Sequence, residues 1–159
     1  MDKAAFEEQY KMIYQDMYRF ALYTLRHTQD AEDVVGDAVA DAWNGIDRLR
    51  DDCAFRPWIF KILTAKCKRK LKEYLHKTTD LDENMISIPA GITEWNVEES
   101  QDVRNAFFTL DGQERLIISM SVFGGYNSRE IGRCLFMKDS TVRSKLARAL
   151  EKMQKRLDG

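Results

Sequence analysis

Arg143, Lys145 and Arg148 lie within SREIGRCLFMKDSTVRSKLARA, residues 128–149. The spacing predicts two short helices joined by a tight turn. On the second helix the three cations take the polar side, and Val142, Leu146 and Leu150 form an apolar stripe. A helix-turn-helix has this form when one helix packs and the other enters a DNA major groove. A second concentration of cations lies in KILTAKCKRKLK, residues 61–72, with Lys61, Lys66, Lys68, Arg69, Lys70 and Lys72. Such a run can follow a phosphate backbone.

The machinery of covalent catalysis is not evident. The chain shows no nucleophile–base pair, phosphate-cradling loop or metal cluster. Its 3 cysteines, Cys53, Cys67 and Cys134, are odd in number and lack C-x-x-C spacing, against a disulfide framework or a zinc site. They are expected to be small buried or half-buried thiols. His27 and His76 stand apart and are expected at solvated helix ends. No cofactor is expected.

The elements that hold these cations follow from composition and periodicity. The chain has 159 residues, 44% apolar and 32% charged, with only 2 prolines and 8 glycines, which favours a mostly helical globule. The net charge of −1 conceals an alternation: −4 over residues 1–50, +4 over 51–80, −5 over 81–110 and +4 over 111–159. Phosphate binding needs local cations rather than global ones. No apolar run is long enough to span a bilayer, and the start, MDKAAFEEQYK, is polar. A cytoplasmic protein is expected.

Residues 3–26 repeat Phe6, Tyr10, Ile13, Tyr14, Met17, Ala21 and Leu25 at helical spacing. A second helix is expected from Asp30, which would cap it, with Glu32 and Asp33 at the positive end of its dipole. Residues 47–56 read as a loop. A third helix is expected from Pro57 to about Leu75, with Trp58, Ile59, Ile62 and Leu63 inward. Residues 78–99 lack sustained periodicity and read as a linker. Beyond it, Asp111 with Glu114 and Asn127 or Ser128 with Glu130 suit helix starts, and Gly124 and Gly125 suit a stop. The expected fold is all-α, with two small helical domains: residues 1–77, a linker over 78–99, and residues 100–159 carrying the helix-turn-helix.

Three motifs in this order carry a resemblance. DAEDVVGDAVADAW (30–43), FRPWIFKIL (55–63) and REIGRCLFMKDSTVRSKLARAL (129–150) resemble the polymerase-binding helix, promoter-melting helix and terminal helix-turn-helix of one family. That family is the small alternative sigma factors of bacterial RNA polymerase, the extracytoplasmic-function group. The last motif alone is common among transcription regulators; the three together are far more specific.

The resemblance implies a promoter-specificity subunit that binds core RNA polymerase and promoter DNA and directs transcription initiation. Catalysis would belong to the polymerase, so the chain would be no enzyme. Asp30, Asp33, Gly36, Asp37 and the end near Trp43 would meet the polymerase clamp. A solvated acidic face is the plainer reading of these carboxylates taken alone. Leu49, Asp51, Asp52, Cys53 and Phe55 would form a pocket for an extruded base of the melted element. Lys61, Ala65, Lys66, Lys68, Arg69 and Lys72 would line that strand, with Trp58 in the core. Arg143, Ser144, Ala147 and Arg148 would read the upstream element, Lys138 and Lys145 would meet phosphate, and Lys152, Lys155 and Arg156 would be solvated. An anti-sigma partner is usual in such families.

The chain departs from the family at several points. Gly36 stands for the usual Gln, Ala65 for Asn and Arg69 for an acid. In the turn Phe136 stands for glycine and Lys138 for a capping Ser. Asp139 is expected to cap instead, and Phe136 to avoid a strained positive φ angle. Two other readings stay open: a sigma-like regulator that binds DNA without supporting initiation, and a polymerase-binding module that does not read DNA.

Overall fold

The computed structural model describes residues 1–76 and 101–159. The expected linker, 78–99, lies outside the described residues. Apolar side chains at intervals of three and four fold Lys3–Leu25 into α1. The Asp2 side chain starts it by accepting the Ala5 N–H at 2.8 Å. Helix α2 is Thr28–Asn44. Its cap is His27, whose Nδ1 accepts the Asp30 N–H at 3.1 Å, so Asp30 lies in the first turn and is not the cap. Two short 3-10 turns, Ile46–Arg48 and Asp52–Ala54, fill the expected loop. Helix α3, Phe55–His76, starts two residues ahead of Pro57, which sits in the first turn, where its missing N–H costs nothing.

The remaining helices are α4 (Gln101–Phe107), α5 (Gly112–Val122), α6 (Ser128–Leu135) and α7 (Asp139–Asp158). Asp111 with Glu114 and Asn127 with Glu130 form reciprocal capping boxes at the starts of α5 and α6. Among the described residues the fold is all-α, as expected. On α7 the inward stripe is Val142, Leu146, Ala149 and Met153, while Leu150 is 49% exposed. Two four-residue steps from Val142 overshoot whole turns by about 80°, which carries Leu150 off the face that Ala149 keeps. Cys67 is buried and Cys134 half-buried, but Cys53 is exposed.

Helices α1, α2 and α3 pack around Phe6, Met17, Phe20, Val35, Phe60 and Leu63. This core does not end with α3. It continues through Phe107, Phe108, Leu116 and Ile117 to Ile131 and Val142 as one cluster. Tyr23 of α1 marks the junction, with Phe107, Phe108 and Phe123 at ring centroid distances of 4.9, 5.5 and 5.5 Å. Arg115 of α5, only 3% exposed, donates from Nε to the Thr24 carbonyl at 3.0 Å and from a guanidinium NH to the Leu110 carbonyl. The last carbonyls of a helix lack partners within it, and Thr24 is one of these in α1. Burial pushes the Arg115 guanidinium down to about 10, and Arg26 adds to the shift. Nearer α3, Arg56 donates to the Phe123 carbonyl at 2.7 Å and pairs with Asp16 at 3.3 Å. The Thr64 and Tyr126 hydroxyls lie 3.3 Å apart.

Three expectations follow. With one shared core, chemical denaturation should unfold both halves in a single transition. Arg115→Ala leaves two buried carbonyls short of a donor and should cost about 2–3 kcal/mol; an unchanged midpoint would refute that role. Gly36 is the third case. A Cβ there meets nothing within 4 Å, so Gly36→Ala should raise stability by up to about 1 kcal/mol. A lower midpoint would show a constraint at Gly36 other than space.

Candidate nucleic-acid and polymerase interfaces

Helix α7, expected to read DNA, is positioned by its own stripe. Val142 and Ala149 are buried, and Arg143, Ser144, Ala147 and Arg148 are exposed on the far side. Lys145 is half-buried, at the margin. Asp139 is the first helical residue rather than the cap. Its carboxylate accepts Arg143 at 3.1 Å, and that hydrogen bond and charge hold it below the usual carboxylate range. Lys138 occupies the cap position without a side-chain bond. Arg148 lies back along its helix, its Nε 3.4 Å from the Ser144 carbonyl. Lys152 is not simply solvated: it pairs with Glu114 at 2.8 Å and ties α7 to α5. Lys155 and Arg156 are exposed.

The turn before α7 holds a strained residue. Phe136 has φ 57° and ψ 47°, the left-handed conformation it was expected to avoid. The turn geometry imposes this. The Met137 N–H donates to the Gly132 carbonyl at 2.9 Å, and a Cβ on Gly132 would lie 2.5 Å from the Met137 carbonyl oxygen. Closing so tight a turn requires a positive φ at the residue after α6. A non-glycine residue there costs roughly 1–2 kcal/mol.

Helix α3 divides its cations among three directions. Lys61, Ala65, Arg69 and Lys72 recur on one exposed face. Lys66 turns to α2 and pairs with Asp41 at 2.8 Å. Lys68 turns to the helix-turn-helix, where it donates to the Cys134 carbonyl and sits 5.3 Å from the Phe136 ring centroid. Lys70 pairs with Glu73 at 3.3 Å and Asp30 at 3.9 Å. The structure therefore brings Lys61, Arg69 and Lys72 together and draws Lys66 and Lys68 away.

The loop residues also separate. Leu49 (8% exposed) and Phe55 (1%) are core, with Phe55 edge-on to Phe6 at 5.2 Å. They are sealed in the core rather than open to solvent. Asp51, Asp52 and Cys53 remain exposed as a polar rim. Asp51 accepts the Cys53 N–H at 3.0 Å, and Asp52 lies 3.5 Å from the N-terminal amine. Trp58 is half-buried beside Phe55.

On α2, Asp33, Gly36 and Asp37 are exposed together. With Glu32 they form the acidic wall of a groove of about 510 Å³, faced by Lys66, Arg69 and Lys70. Asp30 is half-buried and already engaged: it accepts the Tyr74 hydroxyl, which burial and Asp30 together push up. Trp43 is half-buried, edge-on to Phe6 at 5.1 Å, with the Lys3 amine 5.5 Å from its ring. Arg129 and Arg133 were not among the candidates. They line a groove with Phe136 and Lys138, and their i, i+4 spacing on a short capped helix was the available signal.

No helix among the described residues is long and apolar enough to cross a membrane. The sigma-70 region 2 family matches residues 9–74, and the sigma-70 region 4 family matches residues 106–155. The chain is 27% identical over 157 residues to the ECF RNA polymerase sigma factor SigM of Mycobacterium tuberculosis, covering 98% of this chain and 79% of that one. It is 25% identical over 140 residues to the RNA polymerase sigma factor SigV of Bacillus subtilis, covering 88% and 83%. Its fold is shared with the sigma factor RpoE, solved with the anti-sigma factor NepR from Bartonella quintana, at a TM-score of 0.72, 20% identity and 96% coverage of each chain. The fold of CnrH, solved with the cytosolic domain of CnrY, is also similar, at a TM-score of 0.65 and 22% identity, covering 99% of this chain and 90% of that one. With region 2 matching from within α1 through α3 and region 4 matching from the end of α4 into α7, the chain belongs to the sigma-70 family, among the extracytoplasmic-function RNA polymerase sigma factors.

Proposed function

We propose that this chain is an alternative sigma factor that binds core RNA polymerase, selects promoters and supports initiation in the cytoplasm. The observation that carries this reading is the presence of two separate cationic reading faces in one chain. One is Arg143, Ser144, Ala147 and Arg148 on α7, and the other is Lys61, Arg69 and Lys72 on α3. Residues 100–159 act as the duplex-reading domain, residues 1–77 as the polymerase-binding and melting domain, and 78–99 as the linker. Arginine makes paired hydrogen bonds to a guanine edge, and Ala147 is small enough to meet a thymine methyl. The exposed face of α3 tracks the melted strand by charge, with Asp51, Asp52 and Cys53 at its entrance. Ala65 brings no amide to that face, so the melted sequence is read loosely. Lys66 and Lys68 join it only after leaving Asp41 and the Cys134 carbonyl.

Asp33, Asp37 and the cleft at Gly36 face the polymerase, while Asp30 and Trp43 support that surface from within. Lacking a side chain at Gly36, this surface makes one contact fewer. An anti-sigma partner, of the kind bound in the solved RpoE complex, would act by covering these faces. Binding energy opens the DNA, and the covalent chemistry is the polymerase's. A second reading, a regulator that binds without initiating, is favoured by Ala65 standing exposed on the melting face.

Transcription in vitro separates the two. Core polymerase with genomic DNA of the source organism should yield discrete new RNA 5′ ends only when this protein is added. Core and DNA binding without new starts would favour the regulator. Replacing Arg143 or Arg148 by Ala should weaken specific duplex binding by about 1–3 kcal/mol and relax base preference. An equal loss on every sequence would reduce those residues to phosphate contacts. Charge reversal at both Asp33 and Asp37 should abolish core binding while helical circular dichroism stays intact. Undiminished core affinity would remove the acidic face from the interface.

A further inference from the structure

Phe136 carries two features that folding does not reward. Its ring is 91% exposed, the highest value among the large apolar side chains of the described residues. Its backbone is left-handed, where glycine would be free of strain. A rigid turn holds it there, because Gly132 cannot accept a side chain without striking the Met137 carbonyl. Strain of this kind, kept at an exposed position, points to a use outside the fold.

The surroundings show what kind of use. Phe136, Arg129, Arg133 and Lys138 line a surface groove of about 540 Å³ with Gly132 and Met137 along it. Asp139 is the one acid on that groove, and its carboxylate is bonded to Arg143. The groove therefore presents three exposed cations around an apolar ring. It lies at the N-terminal end of α7, three residues before the first residue of that helix in the case of Phe136. Free anions would satisfy the cations but not the ring. An apolar surface would satisfy the ring but not the cations. A sugar–phosphate backbone supplies both, phosphate and deoxyribose in alternation, and backbone contacts are what position a recognition helix.

We infer that this groove seats one strand of the duplex backbone beside the bases read by α7, with the Phe136 ring against a deoxyribose and Arg129, Arg133 and Lys138 on phosphates. The inference rests on the reading of α7 as a duplex-binding helix. Because sugars and phosphates recur at every step, Phe136 adds affinity without base preference. The Lys68 amine, 5.3 Å from the ring centroid, is the group that the duplex displaces.

The test uses the full chain and a mixed-sequence duplex at low salt, read by fluorescence anisotropy. Phe136→Gly should raise the melting temperature by relieving strain, yet weaken duplex binding about tenfold. Phe136→Leu should retain most of the affinity. Arg133→Ala should weaken binding and lower the salt slope by about one. If Phe136→Gly binds as tightly as the parent, the inference falls and the ring is an internal clasp against Lys68. Intact duplex binding by Phe136→Gly with lost core-dependent transcription would also overturn it, in favour of a protein partner. If the parent chain binds no duplex at all, it is the reading of α7 that fails.

Discussion

The guanidinium of Arg115 is withdrawn from water between the end of α1 and the start of α5. Burying a charge is costly unless its donors are satisfied. Here the partners are backbone carbonyls, of Thr24 and Leu110, rather than a carboxylate. The same contact satisfies a carbonyl that α1 leaves open at its end. One side chain thus closes a helix terminus and joins two halves of the chain, 91 residues apart in sequence. Tyr23 and its three phenylalanine neighbours complete the seal next to it. Once α1 and α5 are locked, α3 and α6 are brought into reach, and Thr64 meets Tyr126 while Lys68 meets Cys134.

The charge pattern becomes clear as a residue left over from internal pairing. Basic α3 lies against acidic α2, and Lys66 with Asp41 and Lys70 with Asp30 join them. The cations left facing outward are fewer than the sequence suggests, but they lie on one face. The same selection operates on α7, where Lys152 is held by Glu114 and Arg143 by Asp139. Exposed pairs of this kind are weak and screened by salt. A phosphate can therefore exchange for Asp139 at Arg143 at little cost, whereas Arg115 cannot leave its carbonyls without opening the core.

Local rules accounted for most of the secondary structure. Both capping boxes, the helix stop at Gly124 and Gly125, and the Phe6, Ile13, Met17, Ala21 and Leu25 part of the α1 face were legible because they depend on residues within four positions of each other, whereas Tyr14 of that expected stripe is 46% exposed. The exposed set Arg143, Ser144, Ala147 and Arg148 was legible for the same reason, since a helix face repeats every three or four residues. The errors were local conflicts with more than one solution. His27 took the cap expected of Asp30, and Ala149 took the inward place expected of Leu150.

The sequence by itself determined the helices, their polar and apolar faces and, through three ordered motifs, the family. The tertiary structure alone decided which charges remain available and how the halves meet. Lys68 turns away from the outward face of α3 because the Cys134 carbonyl, 66 residues on, takes its amine, and Phe55 is sealed because Phe6 of α1 packs edge-on against it. Pairings at such separations leave no periodic trace in a sequence, because they depend on how whole helices pack rather than on spacing along one. Phe136 shows the same limit within a turn. Its residue type argues against a positive φ, but the closure of Gly132 on Met137 leaves the backbone no other course.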